Sequence, residues 1–373
     1  MRNLTEREAA VLAAADNLAD GHAYRTPSPT EAAILRSAGE MLLSVDRRDL
    51  ATLEGEYLQA FFALGHQSLD PSAFSVFQCL SASMALEIIG NYCRLARISV
   101  SLVEPCFDNL SDILKRHGVP LRPIPDALFA DPAALIRRLE EDQCDAVLLV
   151  SPNNPSGRHL SEAAFRAVVD HCAHHRKIFA LDACFRFYLP EEHVYDQYAL
   201  LAASGADWVV VEDTGKTWPT QEVKAPFFAA SRSLASSLGA IYSDFLLLGS
   251  PFAMRLLTEL VRASSDDGLD SVRRIVRSNR EVLDACLAGT ALRSVGESFM
   301  SVSWLAVEPP ATAEEFCALL ARRGVHVLPG GPFFWSDPTQ GARFLRVSLV
   351  RDPESFRRSA EVIAQTCRAR AEV

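Results

Sequence analysis

Short apolar runs alternate with amphipathic stretches through the middle of this chain. Runs that predict strands lie at residues 98–103 and around Ala146, Ile178 and Val209, and stretches that predict helices lie at residues 81–96, 108–117, 133–141 and 163–173. This β-α-β alternation predicts a mostly parallel central sheet with helices on both faces, which is an α/β fold.

The pattern differs before residue 65. Residues 1 to about 22 predict a separate amphipathic helix, with Thr5 as its cap. This helix should stop at Asp20-Gly21-His22, because glycine tolerates the turn. A linker with two prolines (25–30) then precedes a helical stretch (31–64) that is broken near residue 45.

The pattern also changes toward the carboxyl end. Long helices are predicted at residues 256–263 and 272–287, followed by short strands at 301–307, 326–328 and 344–349 and helices at 313–323 and 353–368. We therefore expect three parts: an N-terminal lid helix and linker (1–30), a large α/β domain (31–270) and a small α+β domain (271–373).

The composition argues against several functional classes. The net charge of −10 and the lack of a basic run argue against a nucleic-acid surface. The charged first residues are unlike a signal peptide, and no apolar run approaches the length of a membrane span. The nine cysteines are scattered without a C-x-x-C pair, so neither disulfides nor a structural metal site is predicted. We expect a cytoplasmic protein without a metal.

Three polar residues follow predicted strands and carry the candidate chemistry: Asn154, Asp182 and Lys216. The carboxyl ends of parallel strands meet at one edge of a sheet, where ligands bind. A lysine there can form a Schiff base with an aldehyde, a carboxylate can keep a pyridine nitrogen protonated, and an amide can bond a phenolate. The alternative is that these three residues have no chemical role, because Asn-Pro is a common turn and an Asp at the end of a strand often caps a helix.

Further residues could complete such a site. Ser81-Ala82-Ser83 opens a predicted helix, whose first N–H groups can hold a phosphate. Lys224 could pair with the same phosphate, and the ring of Phe107 could stack on a pyridine. The alternatives are that Lys224 is an ordinary surface lysine and that Phe107 is an ordinary core phenylalanine.

These residues resemble a known family. The chain is similar to fold type I pyridoxal-phosphate enzymes of the aspartate aminotransferase superfamily in five segments. These are Ser151–Gly157 (SPNNPSG), the strand that ends at Asp182, the turn that carries Lys216, and the later motifs Leu328–Phe333 (LPGGPF) and Arg346–Ser348 (RVS). The resemblance implies that Lys216 bonds the cofactor, Asp182 its pyridine nitrogen and Asn154 its ring oxygen. It also implies that Arg346 binds the substrate α-carboxylate, and that the protein is a homodimer.

The chain departs from that family at three positions. Asp213 replaces the usual Ser or Thr three residues before the lysine, and a carboxylate there would repel a phosphate. Lys224 replaces an arginine and loses its bidentate fork. Phe185 replaces a tyrosine, and the neighbouring Cys184 is a weak substitute for its hydroxyl. These changes argue against ordinary transamination.

The chain resembles a smaller subgroup of these enzymes more closely. This subgroup consists of the pyridoxal-phosphate- and dioxygen-dependent L-arginine hydroxylases and oxidases of antibiotic pathways, of the enduracididine, indolmycin and azomycin types. The segments that resemble it are Asn3–Glu8, Asn17–Ala23, Phe107–Asn109, Glu212–Thr220 and Ile241–Asp244.

That resemblance implies a lid helix over the site, with Thr5, Glu8 and Asp213 on the guanidinium and His22 in the oxidation chemistry. It implies L-arginine and dioxygen as substrates, and 4-hydroxy-2-ketoarginine or 2-ketoarginine, ammonia and hydrogen peroxide as products. From spacing alone, Thr5 and Glu8 also fit a capping box, and His22 a turn residue. The alternatives for the whole protein are an aminotransferase for a basic amino acid and a silent cofactor-binding protein.

Overall fold

The computed structural model describes residues 3–46, 49–220, 223–267 and 269–371. In this part of the chain the α-helices are α1 (Leu4–Ala9), α2 (Pro29–Arg36), α3 (Ala38–Ser44), α4 (Leu50–Leu64), α5 (Ala82–Ala96), α6 (Asp108–Arg116), α7 (Pro132–Asp142), α8 (Glu162–His175), α9 (Gln197–Ser204), α10 (Arg232–Phe245), α11 (Pro251–Ser265), α12 (Asp270–Leu287), α13 (Ala313–Ala321) and α14 (Pro353–Ala371). The strands are β1 (Asp16–Asn17), β2 (Phe74–Gln78), β3 (Val100–Glu104), β4 (Leu121–Pro125), β5 (Ala146–Val150), β6 (Ile178–Asp182), β7 (Asp207–Glu212), β8 (Phe227–Ser231), β9 (Leu292–Ser294), β10 (Val302–Val307), β11 (Val325–His326), β12 (Leu328–Pro329) and β13 (Phe344–Ser348).

A seven-stranded sheet forms the centre of the larger part of the molecule, in the order β2-β8-β7-β6-β5-β3-β4. The strands from β3 to β7 run parallel, whereas β8 pairs antiparallel with β7 and β2 pairs antiparallel with β8. All residues of β3 and β5 are buried, as their apolar runs predict for strands covered on both faces. The predicted α/β class with a mostly parallel sheet is confirmed.

A second, antiparallel sheet forms near the carboxyl end, in the order β12-β13-β10-β9. Helices α12 and α14 pack against each other, and α13 contacts β12 and β13. Arg346 lies in β13, where its neighbours across the sheet are Trp304 and Leu328. The predicted alternation of short strands and helices after residue 294 is therefore observed, and it fixes the backbone of Arg346 between two strands.

The predicted N-terminal helix of about 22 residues is wrong in length and in its cap. Helix α1 ends at Ala9, and Asn3 caps it, because the Asn3 side chain accepts a hydrogen bond from the Glu6 N–H. Residues 16–17 instead form β1, which pairs in parallel with β11, more than 300 positions later. This long-range pairing holds the segment extended, and no local pattern encodes it.

Other elements also differ from the sequence patterns. The predicted helical stretch at residues 31–64 is three helices, α2 to α4. The patterns missed β2, β4, β8, β9, α9 and α10. Strand β4 (LRPIP) contains two prolines, which a strand tolerates at the edge of a sheet, where β4 lies. Helix α10 contains four Ser and one Gly, which are weaker helix formers than Ala or Leu.

Membrane-spanning helices and metal sites both bear on function. In the part of the chain that the structure describes, no helix is long and apolar enough to cross a membrane. His171 and His175 lie four residues apart on α8, with ring centroids 4.5 Å apart. Even so, no group of three or more His, Cys, Asp or Glu side chains within the described ranges is placed to hold a metal ion.

Candidate active site

A cleft lies where three neighbouring parallel strands end. Asn154 follows β5, Asp182 ends β6 and Lys216 follows β7, and all three side chains line the cleft. The register explains this, because Asp182 pairs with Val150 of β5 on one side and with Val211 of β7 on the other. The prediction that these strand ends meet is confirmed, whereas the chemical roles of the three residues remain predictions.

The turn that carries Lys216 is held by its own backbone and side chains. The Asp213 carboxylate accepts the Gly215 N–H at 3.0 Å, and the Tyr188 hydroxyl donates to the Lys216 carbonyl at 2.6 Å. Gly215 is needed for close packing, because a Cβ there would lie 2.9 Å from both His22 Cδ2 and Lys224 Cε. The turn therefore presents the Lys216 amine to the cleft beside a second lysine and a histidine.

Asp182 is a buried carboxylate at the base of the cleft. One of its oxygens accepts the backbone N–H of Cys184 at 3.0 Å. Burial raises the pKa of Asp182, the charge of Asp213 adds to the rise, and Lys216 partly opposes it. Burial also raises the pKa of the Cys184 thiol, which stays neutral. A protonated pyridine nitrogen of a ligand bound in the cleft would compensate the buried charge of Asp182.

Asp213 lines the same cleft, but its pKa shifts the other way. Burial alone would raise the pKa of Asp213, but the charges of Lys216 and Lys224 outweigh burial and lower it. Asp213 is therefore an anion beside two lysines. The carboxylate, which would repel a phosphate, thus faces positive groups instead.

The amino end of α5 faces the cleft and provides a helix N-terminus. Ser81 caps this helix through a hydrogen bond from the Met84 N–H at 3.1 Å, and Ala82 and Ser83 form its first turn. Ser83 accepts a hydrogen bond from the Asn109 amide at 2.9 Å. The exposed N–H groups and hydroxyls suit a phosphate, and Lys224 lines the same cleft.

Arg346 also lines the cleft, and it lies close to two aromatic rings. Its guanidinium carbon is 5.6 Å from the ring centroids of both Phe107 and Phe333. It donates to the Asn154 side-chain oxygen at 3.3 Å and to the Ala19 carbonyl, and Nη2 lies 2.7 Å from Glu8 Oε1. Phe107 and Asn154, expected near a cofactor ring, thus both contact Arg346.

Helix α1 forms part of the cleft wall. Thr5 and Glu8 both line the cleft. The capping-box alternative for these two residues is wrong, because Asn3 caps the helix and Glu8 contacts Arg346. Leu4 anchors the helix, since its side chain is fully buried and its N–H donates to Asp108 at 2.7 Å.

His22 stands between a carboxylate and two lysines. Its Nδ1 lies 2.5 Å from Asp20 Oδ1, and its Nε2 lies 2.8 Å from Lys224 Nζ and 3.3 Å from Lys216 Nζ. Burial alone would raise the pKa of Asp20, but the hydrogen bonds from His22 and the nearby Lys216 outweigh burial and hold the pKa below its ordinary value, so Asp20 is charged. A carboxylate can only accept, so Nδ1 carries the ring proton; the lysine ammonium groups are donors, so Nε2 faces them with its lone pair.

Sequence reasoning missed two residues that support His22. One is Asp20, although its position two residues before His22 is a usable signal for such a contact. The other is Arg351, a buried guanidinium that donates to the carbonyls of Asn17, Asp20 and His22. Arg351 has no local signal, because it lies more than 300 positions from the segment that it holds.

Known proteins share the sequence pattern and the fold of this chain. A family model described as aminotransferase class I and II matches residues 11–363. A solved structure of MppP soaked with the product 2-ketoarginine superposes with a TM-score of 0.87 at 34% identity, covering 94% of this chain and 99% of that one. Aspartate aminotransferase from Thermus thermophilus with maleate has the same fold, with a TM-score of 0.77 at 17% identity over 98% of this chain and 97% of that one.

Two curated relatives are more distant. The arginine–pyruvate transaminase of Pseudomonas aeruginosa is 24% identical over 307 residues, which are 77% of this chain and 75% of the relative. An LL-diaminopimelate aminotransferase of Nitratidesulfovibrio vulgaris is 25% identical over 231 residues. That alignment covers 60% of this chain and 57% of the relative, so this chain matches little more than half of that protein.

Proposed function

Since this chain belongs to the class I and II aminotransferase family, the fold type I pyridoxal-phosphate enzymes, we propose that it oxidises free L-arginine with dioxygen. The products would be 2-ketoarginine, ammonia and hydrogen peroxide, with one water consumed. A second oxidation and addition of water at the γ-carbon would give 4-hydroxy-2-ketoarginine. We expect the enzyme to be a homodimer in the cytoplasm.

One observation carries this proposal: a buried arginine lines the same cleft as Glu8 and Asp213, two carboxylates besides Asp182. Arg346 would bind the α-carboxylate, and Glu8 and Asp213, with the Thr5 hydroxyl, would bind the guanidinium. An arginine substrate carries these two charged groups at its two ends. In support, the structure of MppP was obtained after soaking with its product 2-ketoarginine, and a more distant relative is an arginine–pyruvate transaminase.

The residues of the cleft fit pyridoxal phosphate. Lys216 would bond its aldehyde, Asp182 its ring nitrogen, and the amino end of α5 with Lys224 its phosphate. When bound, this cofactor withdraws electrons from the α-carbon of an amino acid. The ring oxygen would have Asn154 and Cys184 nearby, because Phe185 supplies no hydroxyl.

The chain's own residues would then divide the work. The Lys216 amine, once released from the aldehyde, would remove the α-proton. The unprotonated Nε2 of His22, 3.3 Å from Lys216 Nζ, would accept a proton during oxidation. Helix α1 would keep bulk water from the reacting carbon.

Oxygen uptake tests this proposal directly. Holoenzyme with L-arginine and no keto acid should consume dioxygen and form peroxide, and mass spectrometry should detect 2-ketoarginine or its 4-hydroxy form. Lys216→Ala should abolish turnover, whereas Lys115→Ala, at an exposed lysine, should not. Borohydride reduction should label Lys216 among the four lysines of the chain, Lys115, Lys177, Lys216 and Lys224.

A second candidate is an aminotransferase that acts on arginine. The observation that favours it is the match to the arginine–pyruvate transaminase. It predicts no oxygen uptake, and formation of alanine or glutamate when pyruvate or 2-oxoglutarate is added. That result would contradict the oxidase proposal.

A further inference from the structure

Glu8 and Arg346 form an ion pair inside the cleft, although they lie 338 positions apart in sequence. The side chain of Arg346 is 1% exposed and that of Glu8 is 14% exposed, and Glu8 Oε1 lies 2.7 Å from Arg346 Nη2. A guanidinium buried to this extent needs a counter-charge. Glu8 thus gives Arg346 the carboxylate that the proposed function assigns to the substrate.

Helix α1 has other attachments to the protein. Leu4 is buried among Ala19, Trp304, Leu328 and Phe333, and its N–H donates to Asp108 at 2.7 Å. On the outer face Arg7 donates through both terminal nitrogens to Glu314, at 2.8 and 3.2 Å. The helix can therefore stay docked while Glu8 changes its partner.

The geometry requires such a change. Glu8 touches Arg346 directly, so one arginine molecule cannot place its carboxylate on Arg346 and its guanidinium on Glu8 until the pair opens. Arg346 also has an unused donor, because its buried Nε has no hydrogen-bond partner among the described residues. A carboxylate that displaces Glu8 could engage this donor as well.

We propose that the Glu8–Arg346 pair is an internal competitor that a substrate must exchange, and that this exchange selects ligands carrying both a carboxylate and a distant cation. The inference rests on the proposed function, which assigns Arg346 to the carboxylate and Glu8 to the guanidinium. A ligand with both charges replaces one ion pair by two. A ligand with a carboxylate alone takes Arg346 and leaves the partly buried Glu8 without a counter-charge, which is costly.

The exchange predicts that one substitution changes two affinities in opposite directions. Glu8→Gln removes the competitor for Arg346, so a simple carboxylate should bind more tightly. The same change removes a partner of the guanidinium, so L-arginine should bind more weakly. A residue that only docked the helix would weaken both ligands together, and a residue that only bound guanidinium would leave the simple carboxylate unaffected.

The experiment measures binding to the holoenzyme by calorimetry, with propanoate as the simple carboxylate. We expect Glu8→Gln to bind propanoate about tenfold more tightly and L-arginine about tenfold more weakly, each corresponding to about 1.4 kcal/mol. Glu6→Gln, at an exposed glutamate of the same helix, should leave both affinities within about twofold. Unchanged or weaker propanoate binding by Glu8→Gln would overturn the inference.

A second measurement uses the unaltered protein, so it does not depend on the variant folding. Propanoate and methylguanidinium together carry the two charged ends of arginine without the chain that joins them. Each should increase the affinity for the other, because each frees the partner that the other needs, and the coupling must be equal in both directions. Independent or antagonistic binding would contradict the exchange.

These measurements separate the inference from the proposed function. If Glu8→Gln binds propanoate more tightly but L-arginine equally well, the competition for Arg346 stands and the assignment of Glu8 to the guanidinium fails. Oxygen uptake with L-arginine tests the oxidation independently of either result.

Discussion

Asp20 Oδ1 lies 2.5 Å from His22 Nδ1 and also accepts the backbone N–H of His22 at 2.9 Å. The first contact sets which ring nitrogen carries the proton, and the second fixes the ring relative to the backbone. Arg351 donates hydrogen bonds to the backbone carbonyls of both Asp20 and His22. Asp20 and Arg351 thus hold the imidazole so that its Nε2 faces Lys216 and Lys224.

Asp20→Asn should disturb the proton on His22 while keeping the shape of the site. An amide can donate to Nδ1, which would move the ring proton to Nε2 and remove the lone pair that faces the lysines. We expect kcat with L-arginine to fall by about a hundredfold, the low end of the range for one general acid–base step. KM should change little, because Asp20 does not contact the proposed substrate groups.

The matched control for this substitution is Asp170→Asn, at an exposed position of α8. Steady-state kinetics under air would give kcat and KM for both variants. A loss confined to KM, or the same loss in the control, would contradict a role for Asp20 in setting the proton of His22.

His22→Ala should change the products more than the affinity for L-arginine. Its Nε2 contacts the amines of Lys216 and Lys224, whereas the proposed substrate anchors are Arg346, Glu8 and Asp213. We expect the ratio of 4-hydroxy-2-ketoarginine to 2-ketoarginine, measured by mass spectrometry, to shift severalfold. His174→Ala, on the exposed end of α8, is the control. An unchanged product ratio would remove His22 from the site.

The sequence predicted the part of the site that depends on local pattern and sheet topology. Asn154, Asp182 and Lys216 each follow an apolar strand, and parallel strands bring such ends together. The contact between Glu8 and Arg346 could not be predicted from spacing, because it depends on how α1 docks. The true extent of α1 was equally hidden, since the pairing of β1 with β11 is encoded in distant segments.

Asp108 should make stability depend on pH. The pKa of Asp108 is raised to about 7, mainly by burial and further by the charges of Asp112 and Glu8. The hydrogen bond from the Leu4 N–H and the charge of Arg346 oppose this rise. The folded state therefore keeps a proton that the unfolded chain loses above its ordinary pKa of 3.8. Stability from this group is complete below about pH 4 and is lost as the pH rises toward 7.

Asp108→Asn tests this directly. The amide oxygen can still accept the Leu4 N–H, but the side chain cannot ionise. The free energy of unfolding of the wild type, relative to the variant, should fall by a few kcal/mol between pH 5 and pH 8, since one pKa unit corresponds to about 1.4 kcal/mol. Urea unfolding at both pH values measures this difference. A difference independent of pH, or one shared by Asp170→Asn, would refute the expectation.

The buried ion pair of Arg186 and Glu212 should be costly to break from one side, because the remaining charge would stay buried without a partner. Arg186 Nε donates to Glu212 at 3.0 Å, the Tyr198 hydroxyl donates to the same oxygen at 3.2 Å, and the charged side chains are 3% and 2% exposed. Glu212 directly precedes Asp213 in the turn that carries Lys216. Loss of the pair should therefore loosen the turn as well as the core.

Glu212→Gln leaves the Arg186 guanidinium buried without its counter-charge, so we expect it to destabilise the fold by about 3–5 kcal/mol. Replacing both residues, as in Arg186→Met with Glu212→Leu, should cost less than the sum of the single changes, because no charge is then stranded. Urea unfolding of the two single variants and the double variant gives the coupling energy. The control is Glu162→Gln, whose partner Arg166 lies on the surface, and it should cost less than about 1 kcal/mol. Additive losses from the two buried positions would mean that Arg186 and Glu212 stabilise the protein independently.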